Sequence, residues 1–403
     1  MEYINGYGLD KDVYESLVNH FYGFEEYVYY KKDEYYKDYI FIIRELDNIK
    51  NNKPMLDAYK HAIIGWYISF KNLERRMSPK TFIFKPTDAC QLRCKHCYNQ
   101  TIERYNKFMT YDEFVFLFHK QRELITKFYH YRKEDTLDAC YHFESGEPTL
   151  NKDLSRMISF CNRNGYRVRV LTNGLYIPED VIDALKGDYR NRIQISFDGM
   201  RETHDFIRGE GTFDKAIYSL KVLKERGVKV SCNFTATLEN YTEYDALKEF
   251  LSSYGVDDII CGCFVDQNND VLHPLDKVGY QAFSHNFKDR IINLSTGTPN
   301  YSGGNLSIIS HDGEYISDVH STGIKVTNYF TDSIEEMLCK IKKHVIRLRS
   351  VPVYCFDCKK VDGCLGGMLC STFKKYGKYN IEDMACHILG AKERGEMYEI
   401  GTL

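Results

Sequence analysis

The sequence predicts an α/β protein built on a partial (β/α)6 barrel, and two observations carry that prediction. From residue 81 to about residue 265, short β-branched or apolar runs alternate with amphipathic helical stretches. Short polar motifs then follow several of these runs at the point where each ends. Strand–helix alternation is typical of a parallel sheet covered by helices, and such sheets carry their functional groups at the carboxyl ends of the strands.

Six runs have the length and composition of strands, which favours a partial barrel over the closed barrel of eight units. Between them, Tyr111 to Thr126 and Phe213 to Arg226 show the apolar spacing of amphipathic helices. The six predicted strands are Phe82 to Lys85, Tyr141 to Glu144, Arg167 to Leu171, Arg192 to Phe197, Val228 to Ala236, and Asp258 to Phe264.

The flanking regions differ from the barrel in composition. Residues 1–79 carry aromatic and apolar residues at helical spacing, which predicts an N-terminal helical region, and the barrel is expected over 80–285. Residues 286–403 are expected to form a small cysteine-rich domain. It should contain a hairpin, Leu306 to Ser310 with Glu314 to Ser317, and a helix from Ser333 to Arg349.

Composition excludes several classes of protein. The chain has 403 residues and a net charge of -3 with no basic tail, which argues against binding nucleic acid by phosphate neutralisation. We find no apolar run long enough to cross a membrane and no secretory signal, so a cytoplasmic protein is expected. The chain has 14 cysteines, and in such a protein clustered cysteines indicate metal or redox sites rather than disulfides.

The first cysteine cluster directly follows the first strand. Cys90, Cys94 and Cys97 stand in DACQLRCKHCYNQ. Three thiolates satisfy three irons of a four-iron cluster and leave one iron open, which is how a metal site becomes catalytic. The alternative is a zinc site with a distant fourth ligand, for which His96 is a candidate.

Five further motifs follow in order along the barrel, and together with the CxxxCxxC spacing they resemble the radical S-adenosylmethionine (radical SAM) superfamily. The resemblance implies a TIM-like partial barrel, a [4Fe-4S] cluster on the three cysteines, and S-adenosyl-L-methionine chelated to the open iron. The five matching segments are Ser145 to Pro148, Thr172 to Gly174, Ser196 to Gly199, His204 to Gly209, and Asn233.

The same resemblance assigns roles to particular side chains. Glu147 is expected to accept a hydrogen bond from the methionine ammonium, and Gly146 to let the backbone approach closely. Arg208 is expected to pair with the methionine carboxylate. Ser196 and Asp198 are expected to hydrogen-bond the carboxylate or ribose region, and Asn173 is expected to bind the cofactor as well.

The second cysteine cluster resembles the SPASM extension of radical SAM enzymes, which normally carries two auxiliary iron–sulfur clusters. Here Met368 and Asp318 stand where cysteines of one of those clusters are expected. We therefore expect one auxiliary [4Fe-4S] cluster, with Cys370 as an alternative fourth ligand and a structural zinc as the alternative occupant. The expected ligands are Cys355, Cys358, Cys364 and Cys386.

Two cysteines are candidates for chemistry rather than metal binding. Cys263 should lie near the carboxyl end of the sixth strand, and either Cys263 or Cys370 could return a hydrogen atom to a substrate radical, as in some peptide epimerases of the superfamily. The alternative is that they are buried thiols.

The resemblance implies a maturase that modifies a precursor peptide, by crosslinking, epimerisation or oxidation, with a flavodoxin- or ferredoxin-type electron donor. The N-terminal region lacks the early strands of the winged-helix domain that captures leader peptides in many such enzymes. Two alternatives stay open. One is the same chemistry on a small molecule such as an aminoglycoside or nucleotide sugar, and the other is a non-catalytic iron–sulfur scaffold.

Overall fold

The computed structural model describes residues 81–97, 107–129, 139–256, 258–264, 271–283, 308–316 and 326–348. The chain divides into two compact units, of which one comprises Ser78–Ile291 and Asn305–Met337 and contains every described strand. The other comprises Met1–Met77, Ile292–Gly304 and Leu338–Leu403. The predicted helical region over 1–79 lies outside the described residues.

The six predicted strands are confirmed, and they form one parallel run in the order β6-β5-β4-β3-β2-β1. Their ends differ from the predicted ones by at most two residues. Helices join consecutive strands, as the right-handed crossover of a parallel sheet requires. The strands are β1 Thr81–Lys85, β2 Cys140–Phe143, β3 Arg167–Thr172, β4 Arg192–Ser196, β5 Val230–Ala236 and β6 Ile259–Cys263.

The three helices predicted with bounds, over 111–126, 213–226 and 333–349, are present as well, each within a few residues of those bounds. Within the described ranges, no helix combines the length and the apolar character that a bilayer span needs. The helices are α1 Tyr111–Tyr129, α2 Leu154–Arg163, α3 Glu179–Lys186, α4 Arg201–Arg208, α5 Thr212–Glu225, α6 Tyr244–Ser252, α7 Lys277–Phe283 and α8 Ile334–Leu348.

The predicted hairpin is confirmed, but its position adds to the sheet. Strand β7, Ile308–Ser310, and strand β8, Tyr315–Ile316, pair antiparallel. β7 also pairs in parallel with β1 from Ile83 to Lys85, so the described sheet has eight strands rather than six. All three residues of β7 are buried, and pairing on β1 satisfies their backbone hydrogen bonds.

One face of the sheet is apolar and packs under the helices. The rings of Phe84 and Phe143 meet that of Phe114 on α1, with ring centroids 4.9 and 5.6 Å apart. Tyr141 packs on Phe118 of the same helix at 5.2 Å. All five side chains are at most 4% exposed, so this face forms the hydrophobic core of the unit.

The opposite face of the same strands is polar, and we call it the polar face. The alternation of a strand sends every second residue there, and the registers align Ile83, His142, Arg169 and Arg192 in one row across four strands. A buried parallel sheet is usually apolar on both faces, so charged side chains here need a separate explanation. The charged or polar members on β1 to β5 are Thr81, Lys85, His142, Arg167, Arg169, Arg192, Gln194, Ser196, Ser231, Asn233 and Thr235.

The neutral state of His142 predicts a pH-dependent loss of stability. Burial, with Arg169 and Arg167 nearby, lowers the pKa of His142 from 6.5 to about 3. Below pH 6.5 the unfolded chain takes up a proton that the folded chain refuses, so stability is full above that pH and falls as the pH drops. From pH 7.5 to 5.5 this loss amounts to about 1.4 kcal/mol.

His142→Gln should remove that part of the pH dependence in urea unfolding measured across this range. The matched control is His119→Gln, because His119 is exposed on α1. Equal slopes in wild type and His142→Gln would contradict the prediction.

Candidate functional site

The motifs found in the sequence meet at one edge of the sheet. The first cysteine cluster follows β1, Ser145 to Pro148 follows β2, and Thr172 to Gly174 ends β3. Ser196 to Gly199 ends β4. Because these strands are parallel, their carboxyl ends lie together, as the sequence predicted.

The cysteine loop is tied to α4 by its backbone. Lys95 donates from its backbone N–H to the carbonyl of Ile207 at 2.9 Å. The Lys95 ammonium also contacts the Phe206 carbonyl and lies 3.6 Å from the centre of the Phe206 ring. Within the loop, Cys97 donates from its N–H to the carbonyl of Cys94 at 3.1 Å. These contacts hold the loop against an element that is 111 residues distant in sequence.

Hydrogen-bond donors surround the sulfur atoms of the loop. Cys90 Sγ accepts from the backbone N–H of Leu92 at 3.4 Å and lies 3.9 Å from Asn173 Nδ2. Cys94 Sγ lies 4.0 Å from Arg208 Nη1. Burial raises the pKa of Cys94 to about 11, and Arg208 opposes the rise. Donors of this kind stabilise thiolate, which is the state that binds metal.

The loop fits an iron–sulfur cluster by the chemistry of its donors. Three thiols stand on one loop, with amide and guanidinium groups directed at two of the sulfurs. Among the described residues, no three His, Cys, Asp or Glu side chains are arranged to hold a single metal ion. His96 was the candidate fourth ligand for zinc, but its Nε2 lies 2.7 Å from Asp198 Oδ2. Nε2 of His96 is therefore already bound to Asp198, and this nitrogen does not serve as a fourth zinc ligand.

Gly146 fits tightly against the start of the cysteine loop. Its φ is +51°, and a Cβ there would lie 2.5 Å from the carbonyl oxygen of Ala89. Only glycine allows this approach, as expected from the sequence. Ser145 precedes it with φ +76°, which is a strained conformation for a residue with a side chain.

The carboxylate of Glu147 is buried and accepts four hydrogen bonds from this chain. Oε1 accepts from the N–H of Thr149 at 3.1 Å and from the hydroxyls of Thr149 and Thr172 at 2.7 Å each. Oε2 accepts from the N–H of Asn173 at 2.8 Å. Burial raises the pKa of Glu147, and these hydrogen bonds oppose the rise. Glu147 thereby joins the ends of β2 and β3, while its expected contact with a methionine ammonium stays a prediction.

The carboxylate of Asp198 is the second buried acid at this edge. Its Oδ2 binds Arg208 Nε and His96 Nε2, and its Oδ1 accepts from the N–H of Thr235 at 2.9 Å. Burial alone would raise the pKa of Asp198, but the Arg208 guanidinium and the hydrogen bond with His96 hold it well below its usual range. Asn240 donates to its backbone carbonyl at 3.0 Å. The cysteine loop, β4, β5 and α4 are therefore joined at one side chain.

Three residues of the His204 to Gly209 segment support the position of Asp198 or of the helix that follows. His204 Nδ1 accepts from the N–H of Asp198 at 3.3 Å, and burial lowers the pKa of His204 to about 4. The Asp205 carboxylate accepts from the N–H groups of Gly211 and Phe213 at 2.9 and 2.8 Å, which caps α5. Arg208 then closes the ion pair with Asp198.

Comparison with known proteins agrees with this geometry. The family model described as the Radical SAM superfamily matches residues 84–251, the span that contains the cysteine loop and both buried carboxylates. This chain carries a radical SAM domain.

Two curated relatives differ in how much of this chain they match. The Fe-coproporphyrin III synthase of Methanosarcina barkeri (strain Fusaro / DSM 804) is 24% identical over 376 residues, covering 79% of this chain and 89% of the synthase. The mycofactocin maturase MftC of Mycolicibacterium smegmatis is 26% identical over 187 residues, covering 44% of this chain and 43% of the maturase. The second match thus spans less than half of either protein.

The fold is also that of a protein of known structure. SuiB of Streptococcus suis, in the crystal structure bound to its precursor peptide SuiA, superposes with a TM-score of 0.60 at 16% identity. The match covers 83% of this chain and 80% of that chain. At this identity the likeness establishes the fold alone.

Three further predicted site residues lie at the carboxyl edge of the sheet. Asn173 follows β3, Ser196 ends β4 and Cys263 ends β6. Ser196 is partly exposed. The second cysteine cluster lies outside the described residues, and it comprises Cys355, Cys358, Cys364, Cys370 and Cys386.

Several residues that hold the radical SAM site together were missed from the sequence. His96 was considered only as a metal ligand, and Asn240 was not considered, although each binds Asp198. Thr149 and Thr172 donate hydrogen bonds from their hydroxyls to the carboxylate of Glu147. The only sequence signal for the threonines is their position inside or beside the motifs, because a hydroxyl that solvates a buried carboxylate has no periodicity of its own.

Glu147→Gln should destabilise the radical SAM domain by about 2 kcal/mol. The new amide places an NH2 group where a carboxylate oxygen accepted hydrogen bonds, so donors then face donors. The free energy of unfolding in urea measures the loss. Glu210→Gln is the matched control, since Glu210 is exposed, and it should change stability by less than about 0.5 kcal/mol. Similar losses in both variants would contradict the role given to Glu147.

His96→Leu should also destabilise the domain, by about 1–3 kcal/mol, since it removes a hydrogen-bond partner of a fully buried carboxylate. His96→Gln, which retains a donor, should recover part of that loss. Urea unfolding at constant pH measures the stability of both variants. The control is His119→Leu, at an exposed position on α1. If His96→Gln and His96→Leu behave alike, the hydrogen bond to Asp198 contributes nothing.

Proposed function

We propose that this chain is a radical SAM enzyme that reductively cleaves S-adenosyl-L-methionine and abstracts a hydrogen atom from a peptide substrate. The outcome would be a crosslink, an epimerisation or an oxidation in a ribosomally made peptide. The observation that carries the proposal is the cysteine loop, whose sulfurs receive hydrogen-bond donors from the ends of other elements through Asn173 and Arg208.

We assign the proposed cofactors to residues at the carboxyl edge of the sheet. Cys90, Cys94 and Cys97 would hold a [4Fe-4S] cluster with one open iron. When bound, the cluster supplies one electron that cleaves the sulfonium of S-adenosyl-L-methionine to methionine and a 5′-deoxyadenosyl radical. Gly146 allows the chain to approach closely at this edge, and Ser196 remains partly exposed there to bind the cofactor.

The peptide substrate is supported by two of the similar proteins. One is the mycofactocin maturase MftC, and the structure of the other, SuiB, contains a precursor peptide. A second candidate function is the same radical chemistry on a small molecule. It is favoured by the Fe-coproporphyrin III synthase, whose match extends over 79% of this chain rather than over the radical SAM domain alone.

The remaining parts of the proposal concern residues toward the C-terminus and partners. Cys355, Cys358, Cys364 and Cys386 would hold one auxiliary [4Fe-4S] cluster in a SPASM-like domain, with Cys370 as the alternative fourth ligand. Cys263 or Cys370 would return a hydrogen atom where the reaction is an epimerisation. The enzyme would act in the cytoplasm with a flavodoxin- or ferredoxin-type electron donor.

Iron and sulfide counts test the cluster assignment. The protein is purified and reconstituted without oxygen, alongside a Cys90→Ala/Cys94→Ala/Cys97→Ala variant. Roughly eight irons in wild type should fall to roughly four in the variant. Roughly twelve falling to eight would show two auxiliary clusters, and roughly four falling to none would show that the C-terminal cysteines hold no iron.

The same preparations separate an enzyme from a non-catalytic scaffold. With dithionite as the reductant, wild type should release 5′-deoxyadenosine and methionine, and the triple variant should release neither. A wild-type protein that holds its iron but leaves S-adenosyl-L-methionine intact would be a scaffold, and the proposed function would be wrong.

A further inference from the structure

Three arginines lie close together on the polar face, below the carboxyl edge of the sheet. Arg169 and Arg192 are register partners on β3 and β4, and Arg167 lies two residues before Arg169 on the same face. All three are partly exposed. This is an unusual position for three cations, because the other face of the same strands forms the core of the domain.

The acidic groups of the described residues do not balance these cations. Asp258 pairs with Arg192 at 3.3 Å. Glu144 is near Arg169, but burial raises the pKa of Glu144 and thereby favours its neutral form. Burial lowers the pKa of Arg169, and Arg192 and Arg167 add to that effect, while Cys140 and Asp258 oppose it. Among the described residues, the pair between Asp258 and Arg192 is thus the one ion pair made by these three arginines.

The hydrogen-bonding groups of this face are also incompletely used. Arg167 Nε and Arg169 Nε are buried and have no acceptor among the described residues. Higher on the same face, Gln194 Oε1 and Ser231 Oγ are buried without a partner in that part of the chain. Gln194 is 3% exposed and Ser231 is 0% exposed. Unused buried donors beside unbalanced positive charge are costly unless a ligand binds them.

We propose that Arg167 and Arg169 bind a carboxylate of the substrate on the polar face, while Gln194 and Ser231 bind its neutral polar groups. This inference rests on the proposed function and adds the chemical class of the substrate. A guanidinium group binds a carboxylate through two parallel hydrogen bonds, which matches the unused Nε donors. His142, in the row of Arg169, is neutral and adds no further positive charge.

The position suits a substrate that reaches up to the radical SAM site. Arg169 lies three residues before Thr172, the last residue of β3, which is about 10 Å along a strand. A peptide or small molecule anchored there by a carboxylate therefore extends to the edge where the cysteine loop lies. The same charge disfavours a polycation such as an aminoglycoside.

The test is calorimetric titration of glutarate, a dicarboxylate probe, into the reconstituted full-length protein at constant ionic strength. Inorganic phosphate is titrated in parallel, because it shares the charge but not the carboxylate geometry. Arg169→Gln should weaken glutarate binding by at least about tenfold, and Arg169→Lys, which retains the charge without the fork, by about threefold to tenfold. Arg163→Gln, on the exposed side of α2, should change it by less than about twofold.

Three outcomes would overturn the inference: wild type binds no glutarate, all variants bind it equally, or phosphate binds at least about tenfold more tightly than glutarate. Circular dichroism checks that each variant folds, and Arg169→Lys keeps the test valid if Arg169→Gln does not fold. Reductive cleavage of S-adenosyl-L-methionine is measured in the same samples. If wild type cleaves it and fails to bind glutarate, only this inference is wrong, and if wild type cleaves nothing, the proposed function is wrong.

Discussion

The buried negative charge of Asp198 is the constraint on which the radical SAM site depends. A fully buried carboxylate is stable only when its oxygens are paired and hydrogen-bonded. Its partners come from the cysteine loop, from β5 and from α4, through His96, Thr235 and Arg208. Each of these elements must therefore take its position for the charge to be satisfied, and the cysteine loop is placed as a consequence.

The carboxylate of Glu147 is also buried, but it is stabilised by neutral hydrogen-bond donors. It has no cation as a direct partner and is solvated by two hydroxyls and two backbone N–H groups. Neutral donors offset less of the desolvation cost than a cation does, so burial raises the pKa of Glu147, whereas Arg208 helps to lower that of Asp198. The two acids are thus fixed by hydrogen-bond geometry on one side of the site and by an ion pair on the other.

The sequence predicted the strands and the edge of the sheet well, because both follow from local rules. Alternation of apolar runs set β1 to β6, and parallel topology brought the motifs together without any knowledge of their partners. What it could not predict was pairing between distant residues. The bond between His96 and Asp198 joins positions 102 residues apart, and the addition of β7 beside β1 depends on backbone pairing that no side-chain pattern encodes.

Motif identity also does not decide which atoms are left for a bound molecule. The carboxylates of Glu147 and Asp198 are already bound by groups of this chain, and the Arg208 guanidinium is shared between Asp198 and the Cys94 sulfur. Polar groups that remain partly exposed near the edge belong to Ser196 and Asn233. Motif residues therefore build the site mainly by binding one another, and the arginine side chains of the polar face, Arg167, Arg169 and Arg192, lie outside the motifs.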